Sequence, residues 1–395
     1  MGTLIGLEIK KLLHRKKTLI TTIAFLLLIG LVAFGSYKED ENRKKWENPE
    51  FQIKNMEQSI ESLKNTANDP KAPEEFKKDI PRQIAELEEN IKQLKANPKA
   101  ADVDWKKQLQ SRTDSMKKEI EMQMDSQSKE RLKLEIEQNE YLLKHDIKPD
   151  SNKLTAFSFL SILYEGMGFI FLAVGVGLFT ADMVSGECTP PTLKLLLTQP
   201  ISRRKALFSK FIAVVSSATI MIVAIELISF VIMGLIFGFG DFNYPMFVGT
   251  KYKSDMNQVV NGTHPIVSVA GSTYIITRAA YLVRMFLLQI LAIVTVASFA
   301  FMLSSIFKSS MVSVSLSIVT PVVLFIISNI SSLSKFTMLM FTNHLNPEYI
   351  MKGQNVMRFS NPNITPTFSI VLLVVWAVVC YGISHLVFTK KDILI

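Results

Sequence analysis

Cysteine is nearly absent from this chain, with two in 395 residues, Cys188 and Cys380. Neither lies in the segments read below as outer loops, which excludes a disulfide there. No Gly-x-x-x-x-Gly-Lys-Ser/Thr phosphate loop occurs, so the chain lacks that route to binding and splitting ATP. The five histidines have no metal-ligand spacing, and no metal is expected. No Ser-His-Asp or paired-carboxylate set stands outside the apolar runs, so no catalytic residues are assigned and a non-enzyme is expected. Acidic residues are scarce outside one block. Lys38 to Lys153 holds 24 of the 44 basic and 26 of the 35 acidic residues, leaving 20 and nine for the rest. The net charge of +9 is therefore +11 on the apolar part and −2 on the block. Basicity that belongs to the apolar part argues against a nucleic-acid partner.

Long hydrophobic runs are what the chain has in abundance. A spanning helix needs roughly 20 mostly apolar residues. Leu19 to Gly35 is the first candidate, preceded by Lys10, Lys11, Arg15, Lys16 and Lys17 and followed by Tyr37-Lys38-Glu39-Asp40, with no small-x-small cleavage pattern. It reads as a retained anchor behind an amphipathic N-terminal segment, the two covering 1–37. Five more runs follow at 157–181, 211–237, 279–303, 311–328 and 367–388. The last five spans and their loops make up a transmembrane domain over 155–395. Six spans put both termini on one side. The N-terminal tail, loop 182–210, loop 304–310 and Lys390-Lys391 carry 13 of the 20 basic residues outside the block. Positive residues in short loops stay cytoplasmic, so both ends are expected inside and the protein in the cytoplasmic membrane as a multi-pass chain. Pro321 in the fifth span is tolerated if neighbours satisfy the carbonyl it frees.

The polar block, 38–154, then lies outside. Ile53, Met56, Ile60 and Leu63 repeat at helical spacing, as do Ile84, Leu87, Ile91 and Leu94. Trp105, Leu109, Arg112, Met116 and Ile120 share a third stripe, with Leu132, Ile136 and Leu143 further on. The pattern predicts two or three long helices in an antiparallel hairpin or small bundle, coiled-coil-like in its narrow seams. Asp104 to Lys144 would run roughly 60 Å as one helix at about 1.5 Å per residue, with a break expected near Asp125-Ser126-Gln127-Ser128. A narrow seam leaves little room for a ligand cavity, so the block reads as a spacer or as a contact for an extracytoplasmic partner. The whole is an all-α membrane protein with six transmembrane helices and a large helical insert between the first two.

The most specific stretch follows the second span. It runs Ser185-Gly186-Glu187-Cys188-Thr189-Pro190-Pro191-Thr192-Leu193-Lys194-Leu195-Leu196-Leu197-Thr198-Gln199-Pro200-Ile201-Ser202-Arg203-Arg204-Lys205, with Lys210 before the third span. Thr192 can cap a short helix that puts Leu193, Leu196 and Leu197 on one face, and Pro200 ends it. Such a helix at a membrane surface is a docking element for a soluble partner. This stretch resembles the permease subunits of bacterial type 2 ABC exporters, in which a Ser-Gly-Glu or similar, Gly-Thr-Leu, a leucine cluster and Pro-(Val/Ile)-Ser-Arg precede a Lys. The match covers Gly186-Glu187, Thr192-Leu193, Leu195 to Leu197, Pro200-Ile201-Ser202-Arg203 and Lys210, and departs at Cys188-Thr189-Pro190-Pro191. By resemblance, loop 182–210 couples to a separate ABC ATPase through Glu187, Thr192, Leu193, Leu196, Leu197, Pro200 and Arg203. The ATPase would bind ATP and Mg²⁺, this chain would hold no cofactor, and the permease would pair as a homodimer or with a second permease.

Ionisable groups inside spans are costly and default to functional hypotheses. Glu226 lies mid-way along the third span, Glu165 about two turns inside the outer end of the second, and Arg284 just over one turn inside the outer end of the fourth. They read either as the lining of a translocation path or as a structural Glu–Arg pair. Gln289, Thr295 and Ser298 read as interhelical hydrogen-bond residues. Gly166, Gly168, Gly175 and Gly177 mark close helix contact, with a dimer seam as one candidate. The outer loops 238–278, with Ile266-Val267-Ser268-Val269, and 329–366 are expected to form short surface or re-entrant helices. Two functions follow: the permease of an ATP-driven exporter, or a membrane scaffold or signalling protein whose outer helices bind a partner without transport.

Overall fold

The computed structural model describes residues 1–68, 74–96, 105–122, 126–150, 153–167, 170–188, 201–259, 262, 264–330 and 334–390. The chain divides into two compact units. One comprises Met1–Val32, Met124–Leu134 and Thr155–Ile395, and the other Ala33–Gln123 and Glu135–Leu154.

The first unit holds the apolar helices. After α1 (Gly2–Leu13) come α2 (Lys16–Glu47) and four helices of the polar block, α3 (Pro49–Asn68), α4 (Glu74–Ala96), α5 (Trp105–Met122) and α6 (Ser126–Lys144). Then follow α7 (Ala156–Ile162), a π-helical turn (Leu163–Met167), α8 (Ile170–Thr180) and α9 (Arg203–Phe237). Next are α10 (Arg278–Ile306), α11 (Ser310–Ser328), α12 (Ser334–Thr337), a 3₁₀ turn (Phe341–His344), α13 (Pro347–Met351), α14 (Gln354–Phe359) and α15 (Pro366–Lys390). Five of these helices are long and apolar enough to cross a membrane: α2, α9, α10, α11 and α15. The run expected as the second span is instead broken into α7, the π turn and α8. Gly166 sits inside the π turn, and glycine is the weakest helix former after proline.

Capping fixes where the long helices begin. The Ser202 side chain accepts from Lys205 N at the start of α9, and Thr277 accepts from Ala280 N at the start of α10. α9 ends where Gly238 takes φ +85. α10 is the central helix, with two-thirds of its apolar stretch buried, and it packs on α8, α9, α11 and α15. Its Ala292, Ala297 and Ala300 are nearly inaccessible, small residues that let neighbours approach closely. Around them lie Val176 and Phe179 of α8, Leu207, Val214 and Ile222 of α9, and Leu373 and Cys380 of α15. α2 has only 11% of its apolar stretch buried within the protein.

Gly175 and Gly177 of α8 make close helix contacts within this chain, while Gly168 lies outside the described residues. A Cβ on Gly175 would run into the Phe25 ring of α2, and one on Gly177 would sit 3.1 Å from the Ser317 carbonyl oxygen of α11. Ser317 lies four residues before Pro321, so its carbonyl lacks the usual helical donor. Gly177 of α8 thus faces the carbonyl that Pro321 frees.

The described residues of 238–277 form strands and turns, contrary to expectation, whereas short helices do stand in 329–366. β1 (Pro245–Val248) pairs antiparallel with β4 (Tyr274–Thr277), and β2 (Tyr252–Ser254) with β3 (Ile266–Ser268). β-branched Ile266, Val267 and Ile276 suit a pleated surface, and Gly249 and Gly271 take the positive φ that the turns require. In the second unit, Lys95 pairs with Glu57 across α3 and α4 at 3.2 Å, while Ile60 and Ile91 are buried between them. Lys117–Glu140 and Lys106–Asp146, both 2.7 Å, join α5 to its partner segment. In each pair of helices one residue number rises as the other falls, so both are antiparallel. Leu142 rather than Leu143 is the buried residue at the end of the α6 stripe.

Candidate functional site

Where α8 ends, the chain turns through Asp182 and a 3₁₀ turn, Ser185–Glu187, before Cys188. This is the first part of the conspicuous motif, and its polar side chains are held by neighbouring helices. Lys210, on the first turns of α9, is wholly buried and donates to Glu187 at 2.7 Å and to Glu8 at 2.8 Å. Lys11 also donates to Glu187. Glu8 and Lys11 are both on α1, so one buried lysine ties the N-terminal helix, the motif turn and the third expected span together. An isolated buried ammonium would be prohibitively costly, and two carboxylates within hydrogen-bond reach make it tenable.

Burial alone would push the Glu187 carboxyl up. The Lys210 charge and the hydrogen bonds from Lys11 and Lys210 outweigh that and hold it below the ordinary carboxylate value. Glu187 is therefore ionised at neutral pH. Two further sets of bonds fasten the same turn. Asp182 faces Lys17 at 3.1 Å and Arg15 at 3.7 Å. Ser304 Oγ of α10 accepts from Val184 N at 2.9 Å and from Ser185 N at 3.0 Å, and Ser185 Oγ lies 2.7 Å from Ser313 Oγ of α11. The turn thus contacts α1, the start of α2, α9, α10 and α11.

Of the residues assigned to coupling, Glu187 is buried in this cluster instead of lying at a free surface. Arg203 opens α9 and its guanidinium approaches the Thr389 carbonyl at the end of α15 at 3.5 Å. Thr192, Leu193, Leu196, Leu197 and Pro200 lie outside the described residues. The motif in the sequence contains Glu187 and Lys210 but not their partner Glu8. A signal for it exists: Glu8 is the lone acid before Glu39, set among apolar and basic residues.

The three ionisable groups of the spans do not assemble as a Glu–Arg pair. Glu226 is buried, bonded by Gln289 Nε2 and faced by the Tyr164 hydroxyl at 3.4 Å. Arg284 is exposed and donates to the Tyr274 hydroxyl at 3.3 Å. Glu165 is exposed on the π turn. Gln289 joins α10 to α9 through Glu226. Thr295 joins α10 to α15 by donating to the Leu373 carbonyl at 3.1 Å, whereas Ser298 bonds within its own helix. Among the described residues, no three His, Cys, Asp or Glu side chains converge as metal ligands would.

The family described as "ABC-2 family transporter protein" matches residues 3–393. The chain is similar to the uncharacterized protein YhcI of Bacillus subtilis (strain 168), 27% identical over 300 residues that cover 73% of this chain and 84% of YhcI. It is also similar to the uncharacterized membrane protein YdbK of the same organism, 27% identical over 219 residues, 54% of this chain and 74% of YdbK. A match over nearly the whole chain, together with the apolar helices and the motif turn at their end, means that this protein belongs to the ABC-2 transporter family, as a multi-pass permease of the cell membrane.

Proposed function

We propose that this chain is the membrane half of an ATP-driven exporter, moving a substrate outward across the cytoplasmic membrane. It has six spans, the second being the broken α7–α8 segment, with both termini in the cytoplasm. ABC-2 membership implies a separate ATPase subunit, which binds ATP and Mg²⁺. Loop 182–210 is the element that ATPase moves, and two permeases, identical or not, enclose the path. The observation that carries this reading is Lys210, buried between Glu187 at the entry of the loop and Glu8 of α1. A push on the loop is delivered through that lysine to α1 and α9 together, because an ion pair removed from water resists separation. Glu187 transmits the push, while Leu193, Leu196 and Leu197 supply the apolar face that the ATPase grips. Glu226, held by Gln289 and Tyr164, lies on the path between α9 and α10.

The test is co-purification with an ATPase encoded beside this gene, in native membranes. Leu196→Asp should abolish capture of the ATPase. Glu187→Ala should leave capture largely intact yet uncouple hydrolysis from transport. Capture that survives Leu196→Asp would refute the assignment of the loop. Glu226→Gln should reduce transport without loss of folded protein, and unchanged transport would leave Glu226 a purely structural group.

A further inference from the structure

At the end of the spans opposite the Glu187 cluster, three elements meet. The π turn packs against α13, and α13 packs against α10. Each contributes a polar group. Glu165 is exposed on the π turn. Tyr281 of α10 is 2% exposed, and its hydroxyl has no hydrogen-bond partner. Glu348 of α13 is 4% exposed; its Oε1 takes the ion pair with Lys352, and its Oε2 is buried without a partner. Tyr281 and Glu348 stand on elements packed against each other, and Glu165 on the turn that α13 also packs against. Buried polar atoms are almost always satisfied, so two oxygens without a partner at one junction mark a place that can accept from a donor outside the chain. π turns are rare and recur where a helix is bent to serve a function.

Resting on the permease reading for its role in transport, we propose that this junction is a recognition site for a protonated primary amine. The ammonium donates to Glu348 Oε2 and to the Tyr281 oxygen, with Glu165 drawing it in from the exposed side. The donor count favours that class, since an ammonium brings three N–H donors and no acceptor, to a place that offers acceptors and negative charge. Two carboxylates repel an anion. Ca²⁺ and Mg²⁺ take six or more oxygens, and among the described residues no third acid or histidine joins the group. The site lies at the edge of the apolar helices, so the amine is the head group of an amphiphile whose tail remains among the spans. The transported class is then cationic amphiphiles.

Binding can be measured on the permease alone, so its outcome is independent of whether an ATPase couples to the loop. The full chain is purified into nanodiscs of neutral phosphatidylcholine, and thermal unfolding is followed against dodecylammonium, dodecanol and dodecanoate at pH 7. Dodecylammonium should stabilise saturably, while the alcohol and the acid of equal length should not. Glu348→Gln should weaken the apparent affinity by about tenfold or more, as expected for a lost charge-assisted bond. Tyr281→Phe should weaken it about fivefold and Glu165→Gln about threefold. These two keep the test decisive if Glu348→Gln does not fold. Equal stabilisation by dodecanol, no stabilisation by the amine, or wild-type affinity in both Tyr281→Phe and Glu165→Gln would overturn the proposal.

Discussion

Replacing Lys210 by methionine should be among the most damaging single changes in this protein. Methionine matches lysine in length and removes only the charge and the donors. Lys210 has no solvent exposure and bonds two carboxylates, at 2.7 and 2.8 Å. Glu187 would retain Lys11, but Glu8 would be left buried with no cation, since Lys210 is its one ion-pair partner among the described residues. Removing one member of a buried ion pair costs about 3–5 kcal/mol. Because Lys11 still serves Glu187, the lower part of that range, about 3 kcal/mol, is expected. The decisive comparison is the double variant. Glu8→Gln with Lys210→Met removes the stranded charge, so it should be more stable than Lys210→Met alone, by roughly 1–2 kcal/mol, a coupling of the size that contacting residues show. Thermal unfolding of the four proteins of the cycle, purified in one detergent, measures this. A Lys210→Met protein as stable as the parent, or a double variant less stable than Lys210→Met, would refute the view of Lys210 as a buried tie between α1 and the motif turn.

The same cluster sets a pH dependence. The folded carboxyl of Glu187 lies below its ordinary value of 4.5, so the unfolded chain binds the proton more tightly. Its contribution is complete above that value and is lost as pH falls below it through the folded value, so an acid titration of unfolding should show Glu187→Gln losing less stability than the parent below about pH 4.5. Gly177→Val should destabilise by about 1–3 kcal/mol, as overpacked contacts do, because its Cβ would press on the Ser317 carbonyl, a backbone atom that cannot swing away. An intact unfolding temperature for Gly177→Val would mean that α8 and α11 are not in close contact. Gly353 has φ +68 and would place a Cβ 2.9 Å from the Thr250 carbonyl, so Gly353→Ala should cost about 1–3 kcal/mol; limited proteolysis of segment 329–366 would report it, and unchanged cleavage would count against the strain.

The apolar runs are legible in the sequence because a helix in lipid must satisfy its backbone internally and cover itself with apolar side chains. Their positions, the polar block and the basic loops all follow from local composition. The motif after the second run also stands out, so Glu187 is a candidate through the resemblance it carries, with Lys210 inside the matched stretch. What composition cannot convey is direction in space. Nothing local says that Glu8, some 200 positions from Lys210, faces it, or that Glu187 is turned inward to share the same ammonium; only the packing of α1 on α9 decides that. A Glu–Arg pair is one reading of Glu226 and Arg284, yet the packing of α9 and α10 gives Glu226 to Gln289 and leaves Arg284 to Tyr274. The strands of 245–277 escape a reading tuned to helices, because a run of three or four residues is too short for its period to be told apart. The interruption of the second run falls at the π turn, which carries Glu165 and Gly166, yet a glycine and one acid permit such a break without requiring it. The sequence alone thus decided what is apolar, what is charged and in what order. The fold decided which charges meet, because ion pairs and close helix contacts depend on orientation between segments far apart in the chain.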